Sequence, residues 1–388
     1  MRVLFTSLRN TSHFLPLVPF IEACRQRGHE VAVAAPAGLA ERVASTGAAF
    51  RPFGHPGDDA LRPIWSRMPK LSEDERKQAV IGEIFAGKCA AAALPALVET
   101  VERWRPSIIL RESQEYAAIV AAEKFAICHV RVAITGRATE AESLALAAPS
   151  LDAHYRAYGL PPDPSGERVQ REAVFTLFPA SLEAVGTGLF STAKRFRAQR
   201  KSAPPLPDWW GALEGPLVYL TLGTVAGSME AARSAYAVAL RAVANLPIRV
   251  LMTVGTELSL EALGDVPENV HVERFVPQDD VLPHAAAVIC HGGSGTVLGT
   301  LAAGVPMVVT PLFADQPNNA ERVAALGAGL VLTPPVSPEA LRVALMRVLE
   351  ESSFRDTARG VAAKISELPS IEEAALEMEH IANPTGVT

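Results

Sequence analysis

Short, continuously apolar runs alternate along this chain with longer stretches in which apolar residues recur every three or four positions. Residues 3–6 predict a strand, 17–27 a helix, and 30–34 a second strand after the Gly28-His29 turn. A further helix and strand are expected at 38–45 and 48–52, and residues 107–110 and 128–132 read as strands flanking a helix at 115–125. Apolar runs separated by helices argue for a parallel sheet covered on both faces. Between residues 53 and 71 the pattern lapses, with prolines and glycines scattered among Ile64, Trp65 and Met68. This predicts a long loop, of the kind that is usually functional or mobile.

The alternation restarts after a Pro-rich segment, Lys201-Ser202-Ala203-Pro204-Pro205-Leu206-Pro207-Asp208, which reads as a linker. Residues 217–222 predict a new first strand closed by Gly223-Thr224, followed by a helix at 230–244 and strands at 249–253, 270–274, 286–290 and 307–310. A last helix is expected at 371–381, after Pro369. The expected fold class is therefore α/β: two Rossmann-like parallel-sheet domains, 1–200 and 215–366, joined by a linker at 201–214. Ligands of such proteins sit near the carboxyl ends of the strands, and a cleft between the domains is the expected place.

Composition narrows the function classes. With 388 residues, 49% hydrophobic and 20% charged, the chain is long and apolar enough for two cores. The net charge of −6 is the wrong sign for a nucleic-acid binder, which neutralises phosphates with a basic excess. Cys24, Cys89, Cys128 and Cys290 are too scattered for a disulfide framework, and none forms the CxxC pair of a zinc site. Residues 1–5 carry no basic lead or apolar targeting core, and no 18-residue apolar span is apparent. A cytoplasmic location without stable membrane insertion is the expectation. A homodimer is compatible with the sequence, but nothing in it sets the oligomeric state.

The most informative local pattern is His291-Gly292-Gly293-Ser294-Gly295-Thr296, placed between an apolar strand and a helix. Glycines let the backbone approach a ligand, and the helix start presents unpaired N–H groups and the positive end of its dipole to an anion. Ser294 and Thr296 add hydroxyls, so the pattern suits a phosphate or diphosphate that must be stabilised as a leaving group. The chain has neither a Walker lysine nor a GxGxxG in its first domain, which argues against a P-loop NTPase or an NAD enzyme.

Taken with Phe275-Val276-Pro277-Gln278, Gly304-Val305-Pro306 and Pro311-Leu312-Phe313-Ala314-Asp315-Gln316, this run strongly resembles the nucleotide-sugar signature of GT-B fold glycosyltransferases. The nearest likeness is to bacterial antibiotic glycosyltransferases acting on polyketide and enediyne aglycones. It extends to residues 2–29, similar to the family's first β-α-β unit, and 176–183, similar to its last N-domain strand; it is weak from 51 to 105. The resemblance implies that Phe275 stacks on the base, that the Val276 backbone reads the base edge, and that Gln278 belongs to the same nucleotide site. His291, with Gly293, Ser294, Gly295 and Thr296, would hold the diphosphate, and Gly223-Thr224 a second phosphate-side loop. Asp315 and Gln316 would bind hydroxyls of the donor sugar; on spacing alone they read equally as an N-cap pair for the helix through Ala320. In the family the segment 367–388 crosses back to the N-terminal domain. Plant members place a ribose-gripping glutamate where this chain has Gly299, which tilts the expected donor from a UDP-sugar toward a TDP-sugar.

Deprotonating an acceptor hydroxyl needs a base, and histidine titrates nearest neutrality. His13 lies just after the first strand, ahead of the helix that Pro16 helps begin. His29, His55, His129, His154, His271, His284 and His380 lack such a setting. His13 and Pro16 match the family's His-x-x-Pro element, in which the histidine is the general base. The family's partner aspartate corresponds to Glu112, one methylene longer; the competing arrangement pairs Glu112 with Arg111 or Arg131 and leaves His13 on backbone. Phe14, Phe53, Ile64, Trp65, Met68 and Phe85 would line an acceptor pocket if the 53–71 loop folds over it.

The resemblance implies an inverting, metal-independent glycosyltransferase that moves a sugar from a nucleotide donor to a hydroxyl of a small lipophilic aglycone, with no cofactor. No Asp-x-Asp metal pair occupies a strand end; Asp279-Asp280 reads as a helix start. Two readings compete: a nucleotide-sugar epimerase or hydrolase on the same fold, and a non-catalytic nucleotide-sugar-binding auxiliary protein.

Overall fold

The computed structural model describes residues 1–183, 192–199, 203–223, 230–255 and 258–383. They form two compact units. The first holds β1 (Arg2–Thr6), β2 (Glu30–Pro36), β3 (Ala49–Phe53), β4 (Ile108–Glu112), β5 (Cys128–Ala133), β6 (Ala173–Thr176) and β7 (Lys194–Arg195). Their order across the sheet is β3-β2-β1-β4-β5-β6-β7, all parallel. The second unit holds β8 (Leu217–Thr221), β9 (Arg249–Thr253), β10 (Val270–Glu273), β11 (Ala285–Cys290), β12 (Met307–Val309) and β13 (Gly329–Val331). Their order is β10-β9-β8-β11-β12-β13, again parallel. In each sheet the first strand therefore lies between the second and the fourth. Loops leaving the first and fourth strands diverge there, opening a crevice at the strand carboxyl ends.

Both central strands of the first unit are buried on two faces. Ile108 and Leu110 face a core with Val3, Phe5, Phe14 and Phe20, while Ile109 faces one with Leu94, Leu97 and Tyr116. Helix Ile371–Ala382 packs on helix Val18–Gln26 through Ile371, Ala374, Ala375 and Met378, and Arg27 and His29 both reach Glu379. Residues 178–183, expected in the first domain, belong to the second unit: Phe178 and Leu182 are in its core, and Arg322 donates to the carbonyls of Leu182 and Glu183 at 3.2 and 2.9 Å. The last strands of the first sheet are instead Ala173–Thr176 and the short edge strand β7. Leu206, Trp209 and Trp210 of the expected linker pack against the second unit, with Trp209 stacked on His271.

The expected loop at 53–71 is helical. Asp58–Arg67 begins with two aspartates in its first turn, favourable at the positive dipole end, and continues through Pro63 into Met68–Lys70. After Ser72, whose hydroxyl and Glu75 form a reciprocal cap, a continuous helix runs from Glu73 to Trp104. This corrects the sequence expectation that no apolar span exists: the helix is long and apolar enough to cross a membrane by length and composition. Ala86, Ala90, Ala93, Leu94, Leu97 and Val101 are nonetheless buried in the first unit. Its segment Gln78–Cys89 is wound with wide π turns. Ser150 donates to the Gly82 carbonyl at 2.8 Å and His154 Nε2 lies 2.9 Å from the Ala86 carbonyl, so helix Arg137–Ala157 meets groups exposed by the irregular winding.

Candidate functional site

In the first unit the site grows from the β1–β4 divergence. Asn10 precedes the short turn Thr11–Phe14, and the His13 amide donates to its carbonyl at 3.0 Å. This returns the His13 side chain toward the end of β4, where Nδ1 is 3.1 Å from Glu112 Oε1. The Glu112 carboxylate is fully buried and His13 nearly so. Two backbone amides also donate to that carboxylate, Leu8 to Oε1 at 3.3 Å and Gln114 to Oε2 at 2.7 Å. Three donors thus hold one buried carboxylate, and ring and carboxylate fix each other's orientation. Glu112 does not pair with the buried arginines: Arg111 meets the Glu112 backbone carbonyl, and its guanidinium pairs with Glu172. Nearby, Thr6 donates to Glu115 at 2.6 Å, and the amides of Ala117 and Ala118 donate to the same carboxylate. Burial, reinforced by the charge of Glu112, pushes the Glu115 carboxyl upward.

The expected acceptor-lining residues separate. Phe85, from the wide-turn segment, sets its ring edge-on to His13 with centroids 5.6 Å apart. Ile64, Met68 and Phe85 belong to one small apolar cluster with Leu8 and Leu61, while Trp65 is half exposed. Phe14 and Phe53 correct the expectation: both are buried in the main cores flanking the sheet, Phe14 beside Phe5 and Leu17 and Phe53 beside Ala34 and Ala90. Both rings pack into the layers that support the sheet.

In the second unit the corresponding divergence, β8 from β11, is built mostly from backbone. His291 follows β11 and is buried between two glycines. A Cβ on Gly293 would lie 2.5 Å from His291 Nε2, and one on Gly223 2.8 Å from the same atom; Gly223 also has φ +81°. Glycine at both positions is what lets an imidazole fit there. Burial depresses the His291 pKa to about 4, outweighing a hydrogen bond to the Thr221 backbone that raises it, so the ring is neutral near pH 7 and carries a single N–H. Gly293 is the cap residue of helix Ser294–Ala302 and has no side chain to satisfy its amides. The first-turn N–H groups therefore remain available to an anion, together with the dipole end. Thr224 lies outside the described residues.

Ser294 donates to Asp315 Oδ2 at 2.5 Å. Asp315 occupies the cap position of helix Gln316–Leu326, but its side chain does not cap it; the carboxylate turns to Ser294 and Asn319. Gln316 is buried, with Oε1 accepting from the amides of Leu312 and Phe313 at 2.8 and 3.0 Å, so it shapes the loop that bears Asp315. Sequence reasoning missed Asn319. Its Nδ2 lies within 2.8–3.1 Å of Asp315 Oδ2, the Gly292 carbonyl and Ser294 Oγ, tying three segments together. Its only sequence signal is the spacing of four from Asp315 on one helix face. Gln278 donates to the Gly295 carbonyl at 3.1 Å and lies over Gly299, where a Cβ would come 2.6 Å from its Nε2. Phe275 is 65% exposed, an open platform suited to stacking, whereas Val276 is half-buried against the unit's core. Among the described residues no group of three or more His, Cys, Asp or Glu could hold a metal ion.

Comparison with known proteins agrees across almost the whole chain. Residues 22–210 match the N-terminal domain of erythromycin biosynthesis protein CIII-like proteins, and residues 237–381 the C-terminal domain. The chain is 31% identical over 340 residues to L-demethylnoviosyl transferase of Streptomyces niveus, covering 86% of this chain and 85% of that one. Among solved structures it is similar to the glycosyltransferase SnogD from Streptomyces nogalater (27% identity, TM-score 0.79, 99% of each chain). It is also similar to the glycosyltransferase VinC in complex with dTDP (26% identity, TM-score 0.78, 99% of this chain and 100% of that one). Two parallel α/β sheets with an uncapped helix start in the second and a buried His–Glu pair in the first belong here to a GT-B glycosyltransferase, and the chain is a member of the erythromycin biosynthesis protein CIII-like family of natural-product glycosyltransferases.

Proposed function

We propose that this enzyme catalyses inverting, metal-independent transfer of a sugar from a thymidine diphosphate donor to a hydroxyl of a lipophilic aglycone, with His13 as general base. The observation that carries the reading is the His13–Glu112 pair, a histidine whose Nδ1 is held 3.1 Å from a buried carboxylate. With Nδ1–H directed at Glu112, Nε2 accepts the acceptor proton, and the carboxylate stabilises the imidazolium that results. The acceptor oxygen attacks the anomeric carbon as its bond to the diphosphate breaks, on the opposite face. The leaving diphosphate takes up negative charge, which the helix start at Ser294–Thr296 and the neutral His291 N–H offset without a cation. Phe275 stacks on the base, Val276 and Gln278 complete the nucleotide site, and Asp315 receives hydroxyls of the donor sugar.

Two facts favour thymidine over uridine. Gly299 supplies no carboxylate for a ribose 2′-hydroxyl, and Gln278 fills the space above it; VinC, a relative of similar length, was solved with dTDP. The test is steady-state transfer with a dTDP-sugar and a panel of aglycones, comparing the wild type with His13→Ala. Turnover should fall while dTDP affinity stays within about two-fold. Unchanged turnover in His13→Ala would remove the base from the scheme.

A further inference from the structure

β4 ends with two ionisable residues on opposite faces of the sheet. Glu112 joins His13, whereas Arg111 turns to the other face and is fully buried. Its Nη1 lies 3.4 Å from the Glu112 carbonyl, 2.9 Å from that of Ser113 and 3.3 Å from that of Glu115. These are carbonyls of the turn that leaves β4, and the same turn supplies the Gln114 amide that binds the Glu112 carboxylate. The other edge of the fork donates to Glu172, Nε to Oε2 at 3.2 Å and Nη2 to Oε1. Arg131, paired in register with Arg111 on β5, brings its Nε to 3.2 Å from Glu172, and His129 Nδ1 is 3.1 Å from the same carboxylate. Burial alone would raise the Glu172 pKa, but the two guanidinium groups outweigh it and hold it down to about 2.

Such a group is an odd way to stabilise a sheet. Buried ion pairs roughly break even against well-packed apolar residues, because desolvation offsets their attraction. What they fix well is geometry, since each donor has one place where it is satisfied.

We infer that Arg111 is a positioning residue for the reaction: its guanidinium, anchored by Glu172, closes the 112–115 turn and so sets where the Glu112 carboxylate meets His13. The inference rests on the reading of His13 as base. It places a third, opposite-face layer behind the pair, in which Arg111 touches no reactant and acts only through Glu112.

The test compares Arg111→Lys with Arg168→Lys. Arg168 pairs with Glu123 and lies over the Tyr155 ring in the same unit, away from the His13–Glu112 pair, so its variant reports generic weakening of an ion pair. Lysine keeps the charge at 111 but cannot span Glu172 and three carbonyls together. Displacement of a reacting group by an ångström costs about 10²-fold in rate, and a loss of kcat of that order is expected for Arg111→Lys, with dTDP affinity and donor KM unchanged. The acidic limb of kcat/KM, and the His13 titration followed by NMR in the full chain, should both move to lower pH, because the imidazolium loses part of its carboxylate. Arg168→Lys should move neither. Glu172→Asp, a milder change at the anchor, should shift both in the same direction by less, and it carries the test if Arg111→Lys does not fold. A folded Arg111→Lys or Glu172→Asp with wild-type kcat and His13 titration overturns the inference. If His13→Ala is inactive while these variants behave as wild type, only the positioning role fails; if His13→Ala is active, the base reading fails.

Discussion

The two units use the same strand order around their first strand, yet the sites at the two divergence points are chemically opposed. Between β1 and β4 the first unit places side chains: an imidazole, a buried carboxylate, and behind them a network of buried guanidinium and carboxylate groups. Between β8 and β11 the second unit places mostly backbone, with glycines packed around a neutral histidine and an uncapped helix start. On the proposed function, the difference follows from what each site would handle. A proton moves through individual atoms, so its acceptor must be a titratable group of fixed tautomer. A diphosphate is large and already charged, and it is held by several aligned dipoles that need no counter-charge of their own. On that proposal the same topology serves both tasks, and the residues at two loops decide which.

This contrast can be broken experimentally. His13→Ala should have the largest effect, a fall in kcat of about 10³-fold, within the range a positioned base contributes. Calorimetry with dTDP should show binding preserved, and a matching loss of dTDP affinity would dissolve the division of labour. Gly293→Ala is its mirror image in the second unit. A methyl 2.5 Å from His291 Nε2 must displace the ring, and we expect dTDP binding to weaken about ten-fold, from overpacking of some 1–3 kcal/mol. The His13 titration should not move in this variant; a shift there would mean that the two sites are not separable.

Smaller effects sharpen the picture. Gly299→Glu should raise the UDP-to-dTDP affinity ratio by a few-fold, about what one added hydrogen bond of roughly 1 kcal/mol gives, once the flexible end of Gln278 yields and the Leu282 side chain gives slightly. A thermal-shift comparison of the two nucleotides decides it, and an unchanged ratio would leave Gly299 as a packing position for Gln278. Protonation of His291 should leave dTDP affinity flat from pH 8 to pH 6, because its pKa near 4 lies below that window. The sign on stability is opposite to that of a salt-bridged histidine. The unfolded ring takes a proton near 6.5 while the native one stays neutral, so stability is lost as pH falls from 6.5 toward 4. Replacing His291 by Asn should flatten that part of the stability profile. The smallest effect is expected from EDTA, which should leave turnover unchanged; loss of turnover restored by a divalent ion would end the metal-independent scheme.

Legibility in the sequence also differed between the units. The second site comes from one stretch, residues 275–316, in which glycines, hydroxyls and the strand-to-helix transition lie close along the chain. A local pattern can therefore display it, and the candidates His291, Ser294 and Asp315 come from order and spacing, with Ser294 and Asp315 brought into contact by the fold. The first site is assembled from residues 13 and 112 with Phe85 between, and the helix that brings Phe85 was not placed. Gly82, Gly87 and Pro95 interrupt its pattern, and its wide turns do not follow a 3.6-residue period. The burial of Phe14 and Phe53 is hidden for a related reason: an aromatic near a strand end looks the same in sequence whether it is exposed or packed in the core.

The sequence alone determined the alternation of strand and helix, the two-sheet architecture, the glycine-rich strand-to-helix turn and the chemical types available to each site, because these depend on local periodicity and on near neighbours along the chain. Only the tertiary structure decided which carboxylate Arg111 and Arg131 would take, that Asp315 turns to Ser294 and Asn319 instead of capping its own helix, and which aromatic reaches His13. Those outcomes depend on which groups are left without water once the sheets are covered. A buried charge or donor takes the partner that folding brings within reach, and that partner is set by strand register and helix packing across residues far apart in the chain.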